Sequence, residues 1–310
     1  MNIKFYYDDI KLDRAHHLRI DDRWLSYDTE NSNVQIIPVW QNQNLIFSNN
    51  NEKNPPSAAI LSGEAATTVR KITETIVFLG VEDNIIYCAA DLSHIQKPDH
   101  AIIPKGTIFE DLRRIATNLD PVEAGYLAYA RALIYWHQGH KYCGTCGYQT
   151  KSSRAGHQRI CLNAQCGQSH FPRTDPAVIM LVTHPTKDKC LLGHNKKFRG
   201  LRFSTIAGFV EPGEMLEQAV AREVYEETNI QVQDIIYKAS QPWPFPASIM
   251  LGFRAQAVTT EIICHDEELA EARWFTREQV REMSINHEML PPEKLSISRW
   301  LIDCWLSEAS

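Results

Sequence analysis

The pattern of apolar and polar positions predicts strands in the first third of the chain. Residues 34–47 and 75–92 carry the β-branched and aromatic runs that are typical of strands. The second run is interrupted at residues 81–84, Val-Glu-Asp-Asn, whose polar members indicate a turn between two paired strands. Residues 49–57 are polar and contain two prolines, which favours a loop. We therefore expect a β-rich N-terminal domain over residues 1–120.

Helical and strand patterns alternate in the rest of the chain. Residues 121–136 begin with proline and are apolar on all sides, which predicts a buried connecting helix within residues 121–140. Residues 295–306 have the amphipathic pattern of a last helix. Between these helices, short apolar runs predict strands at Ala177–Thr183, Lys189–Leu192, Ile249–Val258 and Ala272–Phe275, and Phe203–Ala207 leads into the segment that follows.

Residues 208–230 read GFVEPGEMLEQAVAREVYEETNI and predict a helix over residues 214–228. On a helical wheel, Glu223 and Glu227 share the apolar face, and Glu226 lies at its edge. An uncompensated buried carboxylate would cost several kcal/mol or take up a proton. Because Mg²⁺ and Mn²⁺ prefer oxygen ligands, this pattern predicts a divalent cation site on the helix.

The alternative for this helix is a solvated acidic surface on which Arg222 pairs with Glu226 at i, i+4. That alternative would place the glutamates opposite the apolar face, whereas the wheel places them within it.

Four of the eight cysteines form two close pairs, Cys143-Gly-Thr-Cys146 and Cys161 to Cys166 with four residues between them. Two such pairs can close a tetrahedral Zn²⁺ site that has no open position, so we expect one structural zinc ion per chain. A redox function would require a thioredoxin-like context, which the pattern lacks. Free thiols remain the alternative.

Composition narrows the classes of protein. With 44% hydrophobic residues, 23% charged residues and a net charge of −6, the chain is typical of a globular protein and not of one that holds nucleic acid by bulk charge. No stretch reaches the roughly 18 apolar residues of a membrane span, and the N-terminus lacks a signal-peptide pattern. We therefore expect a cytoplasmic protein without membrane contact.

Residues 240–248, SQPWPFPAS, alternate prolines with two aromatic residues. The prolines predict a stiff extended strip that holds Trp243 and Phe245 with little freedom. Such a surface suits stacking against a flat base or nicotinamide ring, and a loop that merely packs its aromatic residues is the alternative.

These motifs together resemble those of a known family. The order Gly208, five residues, Glu214, seven residues, Arg-Glu-Val-Tyr-Glu-Glu and then Asn229-Ile230 resembles the Nudix box of hydrolases that cut a nucleoside diphosphate linked to another group. Only Asn229 departs, and Asn is the usual substitute for Gly in a left-handed position. The SQPWPFP string and the four-cysteine ribbon before the box are similar to the NADH pyrophosphatase branch.

The resemblance implies an α+β chain. A Nudix α/β/α sandwich over residues 172–310 would be preceded by a zinc ribbon over residues 141–171 and the β-rich N-terminal domain. It implies homodimers that split NAD(H) at its pyrophosphate into nicotinamide mononucleotide and AMP. It also makes the NAD cap at RNA 5′ ends a second candidate substrate.

The resemblance assigns roles to individual residues. The catalytic set is Glu223, Glu226, Glu227 and Arg222. The ligands of catalytic Mg²⁺ or Mn²⁺ are the carbonyl of Ala207 with Glu223, Glu227 and Glu268, where Glu267 or Glu271 is an alternative to Glu268. The substrate-binding set is Phe171, Phe209, Gln241, Pro242, Trp243, Pro244, Phe245, Pro246, Ala247, Ser248 and Ser298.

Two positions depart from the branch. Phe171 stands where bacterial members commonly have Tyr, which removes a hydroxyl hydrogen bond of about 1 kcal/mol. Gly156 stands where such members carry a carboxylate, five residues before the third zinc cysteine. Both changes bear on the preference among NADH, NAD⁺ and capped RNA.

Two other functions compete. The first is a Nudix hydrolase of another dinucleotide, such as ADP-ribose or diadenosine polyphosphate. The second is a zinc-ribbon module that binds RNA or protein on an inactive Nudix scaffold. It requires the box residues to be without function, although all of them are present.

Overall fold

The structure, a computed structural model, describes Phe5 and residues 10–20, 33–48, 55–197, 200–264, 268–285, 290–291 and 296–308. The chain divides into two compact units. The N-terminal unit comprises residues 6–173 and 244–247, and the C-terminal unit comprises residues 1–5, 174–243 and 248–310. The predicted β-rich segment, connecting helix and cysteine ribbon thus fall in one unit.

The N-terminal unit is built on a six-stranded sheet in the order β3-β2-β1-β5-β4, with β6 paired to β2. Its pairing is antiparallel except between β1 and β5. The strands are β1 (Val34–Trp40), β2 (Gln43–Phe47), β3 (Ser57–Ala58), β4 (Ile76–Glu82), β5 (Ile85–Asp91) and β6 (Thr107–Glu110).

Two tight turns explain how the first strands pair. Asp83 and Asn84 both have positive φ and join β4 to β5, where the sequence predicts a turn. Gln41 and Asn42 do the same between β1 and β2. Asn and Asp tolerate this left-handed conformation, which suits a two-residue hairpin. The predicted pairing of residues 75–92 is confirmed.

The described residues of this unit form the α-helices α1 (Gly63–Ile72), α2 (Leu112–Ile115) and α3 (Pro121–Gly139). The side chain of Asp120 accepts from the amide nitrogens of Val122 and Glu123, which caps the start of α3. Helix α3 packs against β1, β4 and β5 of the same unit, and its residues are buried on most sides, as predicted. The sequence pattern did not predict α1.

The ribbon is a three-stranded antiparallel sheet of β7 (Thr150–Ser153), β8 (Gln158–Cys161) and β9 (Ser169–His170). Two histidines connect it to the rest of the unit. His137 Nε2 lies 2.7 Å from the carbonyl oxygen of Gly156, and His157 Nε2 lies 2.7 Å from that of Phe78. Gly156 has φ +91°, and a Cβ there would lie 2.7 Å from a methyl group of Val77. The close packing therefore leaves no room for a side chain at residue 156.

The C-terminal unit holds a mixed six-stranded sheet in the order β13-β14-β10-β11-β15, with β12 paired to β10. Only the pairing of β10 with β14 is parallel. The elements are β10 (Asp175–Thr183), β11 (Lys189–Asn195), β12 (Ile206–Phe209), α4 (Leu216–Thr228), β13 (Val232–Trp243), β14 (Ser248–Ala257), β15 (Leu269–Thr276), α5 (Arg277–Ile285) and α6 (Ile297–Ser307).

Alternate residues of β10 belong to two hydrophobic cores, one on each face of this sheet. Ile179 and Leu181 pack with residues of α5 and α6, including Val280 and Trp305. Val178, Met180 and Val182 pack with the apolar residues of α4. Because side chains alternate along a strand, one central strand supports helices on both faces. The predicted α/β/α sandwich is confirmed.

Three sequence expectations need correction here. Helix α4 begins at Leu216, two residues after the predicted start. Strand β13 and helix α5 were not predicted. Residues 240–248 do not form one extended strip, because β13 ends at Trp243 and residues 244–247 form a turn before β14. Antiparallel pairing of β13 with β14 requires the chain to reverse there, and this pairing overrides the extended preference of proline.

No helix in the described ranges is both long and apolar enough to span a membrane.

The half-buried His157 predicts an acid-sensitive N-terminal unit. Burial lowers the pKa of His157 to about 4, and the charges of Arg19, Arg14 and His16 act in the same direction. The unfolded chain therefore takes up a proton as the pH falls through 6.5, whereas the folded unit does so only near pH 4. We expect the free energy of unfolding to fall by about 1–2 kcal/mol between pH 7 and pH 5 from this residue.

Urea denaturation at these two pH values measures the effect. In His157→Gln, the amide retains an N–H donor for the carbonyl of Phe78 but does not titrate. The fall in the free energy of unfolding between pH 7 and pH 5 should therefore be smaller in this variant, by about 1–2 kcal/mol, than in the unmodified protein. Equal pH dependence in both proteins would contradict the assignment.

Candidate active site and metal centre

The centre of the site is the contact between β12 and α4. Gly208 lies so close to Glu223 that a Cβ on residue 208 would fall 1.9–2.1 Å from the carboxylate atoms. Only glycine leaves the space into which the Glu223 carboxylate fits. The neighbouring Ala207 pairs with Ile179 of β10, so the strand that precedes the helix is fixed to the middle of the sheet.

Arg222 connects the acidic groups around this contact. Its guanidinium forms ion pairs with Glu214 at 2.7 Å, with Glu223 at 2.9 Å and with Glu226 at 3.0 Å. It also donates to the carbonyl oxygen of Phe209 at 2.9 Å. The hydrogen bonds that Arg222 donates to Glu214 are the main cause both of the lowered pKa of Glu214 and of the raised pKa of Arg222. One cation thus fixes the end of β12, the following loop and α4 in relation to one another.

The carboxylates of α4 differ in environment. Glu227 is buried, with 5% of its surface exposed, whereas Glu226 is exposed. Burial raises the pKa of Glu223, and the negative charges of Glu226 and Glu268 add to that effect, while Arg222 opposes it. The predicted placement of Glu223 and Glu227 toward the interior and Glu226 at the edge is confirmed. The ion pair of the alternative interpretation, Arg222 with Glu226, is present as well.

Of the two candidates for the additional acidic ligand that the structure describes, Glu268 is the better placed. Its charge acts on Glu223. The carboxylate of Glu271 instead accepts a hydrogen bond from Nε of Arg273 at 2.8 Å. Glu267 lies outside the described residues.

Helix α4 ends at Asn229, which has φ 61° and ψ 13°. This left-handed cap is the conformation that the substitution of Asn for Gly predicts. Its amide nitrogen donates to the carbonyl of Tyr225 at 2.7 Å, which completes the last turn.

Two predicted substrate residues have buried, bonded side chains. Gln241 has no exposed surface, and its side-chain oxygen accepts from the amide nitrogen of Ile297, the first residue of α6. Ser298 is 2% exposed, and its hydroxyl lies 2.9 Å from each of the hydroxyls of Ser204 and Thr205. These bonds position the start of α6 beside the segment that leads into β12.

The turn at residues 244–247 lies against α3 in the N-terminal unit. The Arg131 guanidinium lies over the ring of Phe245, 4.8 Å from its centroid, and its Nη1 donates to the carbonyl of Pro244. Arg113 lies 5.7 Å from the same ring. Sequence reasoning missed Arg131, although it is one of only two charged residues in the apolar run of α3 and its burial signals a specific partner.

Other predicted aromatic contacts are open to solvent. Phe171 in the N-terminal unit is 62% exposed, and Phe209 in the C-terminal unit is 59% exposed. Trp243 is half-buried at the end of β13. Large exposed aromatic side chains have little structural function, so their position suits ligand contact.

The four ribbon cysteines meet as predicted. The Sγ atoms of Cys143, Cys146, Cys161 and Cys166 all lie within 4.8 Å of one another, and Cys143 and Cys166 are 3.8 Å apart. A tetrahedral site with bonds of about 2.3 Å to zinc needs sulfur atoms roughly 3.8 Å apart, so the cluster could hold a metal ion. In the part of the chain that the structure describes, this is the one group of three or more Cys, His, Asp or Glu side chains with such close ligand atoms.

Comparison with known proteins agrees with this geometry. A NUDIX domain matches residues 173–301, and an NADH pyrophosphatase-like rudimentary NUDIX domain matches residues 34–136. The NAD-capped RNA hydrolase NudC of Mycobacterium bovis is 38% identical over 258 residues, which cover 79% of this chain and 80% of that protein.

Two eukaryotic relatives are also similar. The human NAD-capped RNA hydrolase NUDT12 is 44% identical over 194 residues, which cover 59% of this chain and 42% of that protein. Nudix hydrolase 19, chloroplastic, of Arabidopsis thaliana is 33% identical over 282 residues, which cover 83% of this chain and 64% of that protein. The chain thus spans about two fifths of the length of the first curated relatives that it matches.

The fold, the site and these matches define a Nudix hydrolase. The chain belongs to the NADH pyrophosphatase branch of that family, which joins a NUDIX domain to a rudimentary NUDIX domain.

The cap of α4 generates a stability prediction. In Asn229→Ala, alanine must adopt a left-handed conformation that costs about 1 kcal/mol. We expect a loss of that size in the free energy of unfolding, measured in urea. The matched variant Asn229→Gly should be neutral or slightly stabilising, because glycine adopts positive φ at little cost. Equal effects of both substitutions would show that the cap does not matter.

Proposed function

We propose that this protein hydrolyses the pyrophosphate bond of NAD(H) in a reaction that depends on Mg²⁺ or Mn²⁺. The products are nicotinamide mononucleotide, reduced or oxidised, and AMP. The observation that carries the proposal is the acidic cluster of α4 around Gly208, in a chain of the NADH pyrophosphatase branch.

The donor chemistry of the cluster fits a divalent cation. Glu223 and Glu227, with the carbonyl of Ala207 and with Glu268, offer the oxygen ligands that Mg²⁺ and Mn²⁺ prefer. The repulsion that Glu226 and Glu268 exert on Glu223 is the repulsion that a bound cation relieves. When bound, such an ion neutralises the diphosphate and lowers the pKa of a coordinated water.

The chain's own residues then position and deprotonate the water. A carboxylate of Glu226 or Glu227 accepts the proton of the water as the water oxygen attacks one phosphorus, and the bridging P–O bond breaks so that the other phosphate leaves with its nucleotide. Arg222 keeps these carboxylates in position through its ion pairs with Glu223 and Glu226. Its guanidinium is already fully engaged with Glu214 and Phe209, which favours orientation over contact with substrate.

The substrate contacts are proposed for residues 241–248, Phe171, Phe209 and Ser298. The exposed rings of Phe209 and Phe171 and the half-buried Trp243 supply the flat surfaces that a base or a nicotinamide ring needs. The buried hydrogen bonds of the Gln241 amide and the Ser298 hydroxyl support a function in positioning the start of α6 beside the segment before β12.

A second substrate, NAD-capped RNA, is proposed because the relatives from human and Mycobacterium bovis are named NAD-capped RNA hydrolases. We further propose that the four cysteines hold one structural Zn²⁺ and that the protein acts as a cytoplasmic homodimer. The sulfur spacing supports zinc, and the branch resemblance supports dimerisation.

The proposed reaction is tested by incubating zinc-loaded protein with NADH and Mg²⁺ or Mn²⁺ and separating the products. We expect reduced nicotinamide mononucleotide and AMP in equal amounts and their loss with chelator. Glu227→Gln should lower kcat by at least about 10²-fold, because it removes a carboxylate proposed to hold the cation and one of the two candidates for accepting the proton.

The rival functions give different results in the same assay. Turnover of ADP-ribose or diadenosine polyphosphate in preference to NADH would favour another dinucleotide hydrolase. Binding of RNA without metal-dependent turnover of any substrate, capped RNA included, would overturn the enzyme in favour of a binding module.

The space at Gly208 gives a further test. In Gly208→Ala, the new Cβ must displace the Glu223 carboxylate by more than 1 Å. A displacement of this size should lower kcat about 10²-fold while the protein remains folded. Gly139→Ala is the control, because a Cβ there meets nothing within 4 Å. Unchanged kcat in Gly208→Ala would contradict a function for Glu223 at that position.

A further inference from the structure

Arg159, on the ribbon strand β8, is a buried cation without a counter-charge among the described residues. It is only 8% exposed. Its Nε donates to the hydroxyl of Thr150 at 2.7 Å and its Nη2 to the Thr150 carbonyl at 2.9 Å. Its Nη1 lies 2.8 Å from Nδ1 of His137. All three partners are neutral, so three of five N–H groups are occupied and the positive charge is uncompensated.

The orientation of His137 explains why it does not supply the missing charge. Nε2 of His137 donates to the carbonyl of Gly156, so Nδ1 is the acceptor for Arg159 and the ring is neutral. His137 therefore positions the guanidinium. A buried cation held in one position by neutral groups is unusual, since buried charges are normally paired.

Arg159 lines a cavity of about 290 Å³ within the N-terminal unit. Lys141 and Tyr142 line it as well, and so do Asp91 at the end of β5 and Glu74 in the segment before β4. Within the described residues, the side chains of Lys141 and Glu74 have no ion-pair partner. Both signs of charge thus face one polar space without neutralising each other.

Hydrogen bonds fix the position of the Asp91 carboxylate but do not use all of its acceptor capacity. It accepts from Nε2 of Gln138 at 3.1 Å and from the amide nitrogen of Ser93 at 2.9 Å. A carboxylate can accept about four hydrogen bonds, so Asp91 retains capacity for a donor from a ligand.

The lining excludes simpler ligands. The positive charges of Arg159 and Lys141 disfavour a divalent cation, and the negative charges of Asp91 and Glu74 disfavour a lone inorganic anion. The polar walls disfavour an apolar molecule. The volume is at the lower end of the range for small-molecule sites. A small ligand with an anionic end and several hydroxyl donors satisfies all of these constraints.

We propose that this cavity is a second ligand site, separate from the Nudix centre, that binds a sugar phosphate. The phosphate group pairs with Arg159 and Lys141, and the sugar hydroxyls donate to Asp91 and Glu74. The guanidinium is the group that recognises phosphate most specifically, because its N–H groups match two oxygen atoms. The assignment does not depend on the proposed hydrolysis.

The test is isothermal titration calorimetry of the zinc-loaded protein with ribose 5-phosphate in the absence of Mg²⁺ and Mn²⁺. Binding should be saturable, and Lys141→Gln should weaken it about tenfold by removing a charged hydrogen-bond donor. Arg159→Gln should abolish it. Because Arg159 also holds Thr150, the Lys141 variant keeps the test valid if the Arg159 variant does not fold.

Control variants and ligands distinguish binding in this cavity from binding at the Nudix centre and from binding of phosphate alone. Lys151→Gln removes an exposed ribbon lysine that does not line the cavity and should leave the affinity unchanged. Ribose should not bind, and inorganic phosphate should bind at least tenfold more weakly than ribose 5-phosphate. Equal affinity for inorganic phosphate would overturn the sugar-phosphate assignment. Absence of ribose 5-phosphate binding would overturn the assignment of this cavity as a ligand site. Binding that is lost in Trp243→Ala but kept in Lys141→Gln would overturn it as well.

Discussion

The ion pairs of Arg222 are the interaction on which the candidate centre depends. A helix that turns Glu223 and Glu227 inward is costly, because carboxylates lose hydration without gaining a partner. Arg222 offsets part of that cost and at the same time ties α4 to the loop at Glu214 and to the backbone of Phe209. The ion pairs that offset the cost of burying these carboxylates therefore also hold the acidic groups where a cation can bind them.

The second constraint is steric: in each unit, one position must be glycine because a larger residue would overlap a neighbouring group. Gly208 leaves the space that Glu223 occupies, and Gly156 allows the ribbon to approach Val77 of the N-terminal sheet. The first position belongs to the box, whereas the second is a departure from the branch. At residue 156, any side chain would overlap the neighbouring strand. This steric conflict explains why glycine stands where members of the branch carry a carboxylate.

The ribbon sheet carries two features that lie close together along the chain, the four-cysteine cluster and the buried Arg159. Its strand β8 carries the buried cation Arg159 and ends in Cys161, one of the four clustered cysteines. His137 and His157 connect this sheet to the rest of the N-terminal unit through carbonyl oxygens of Gly156 and Phe78. The proposed zinc site and the proposed sugar-phosphate site thus share strand β8, which supplies Cys161 to the first and Arg159 to the second.

The sequence by itself determined the elements whose signals are local: the box helix with Glu223 and Glu227 inward, its left-handed end at Asn229, the Asp83-Asn84 turn and the four-cysteine cluster. Each follows from periodicity, turn chemistry or ligand spacing over a few residues. Tertiary structure decided the rest. The reversal after Trp243 follows from strand pairing, the burial of Gln241 from its bond to Ile297, and the partners of Arg131 and Arg159 from contacts between distant segments. Such contacts depend on which segments meet in space, and that information is absent from any short stretch of sequence.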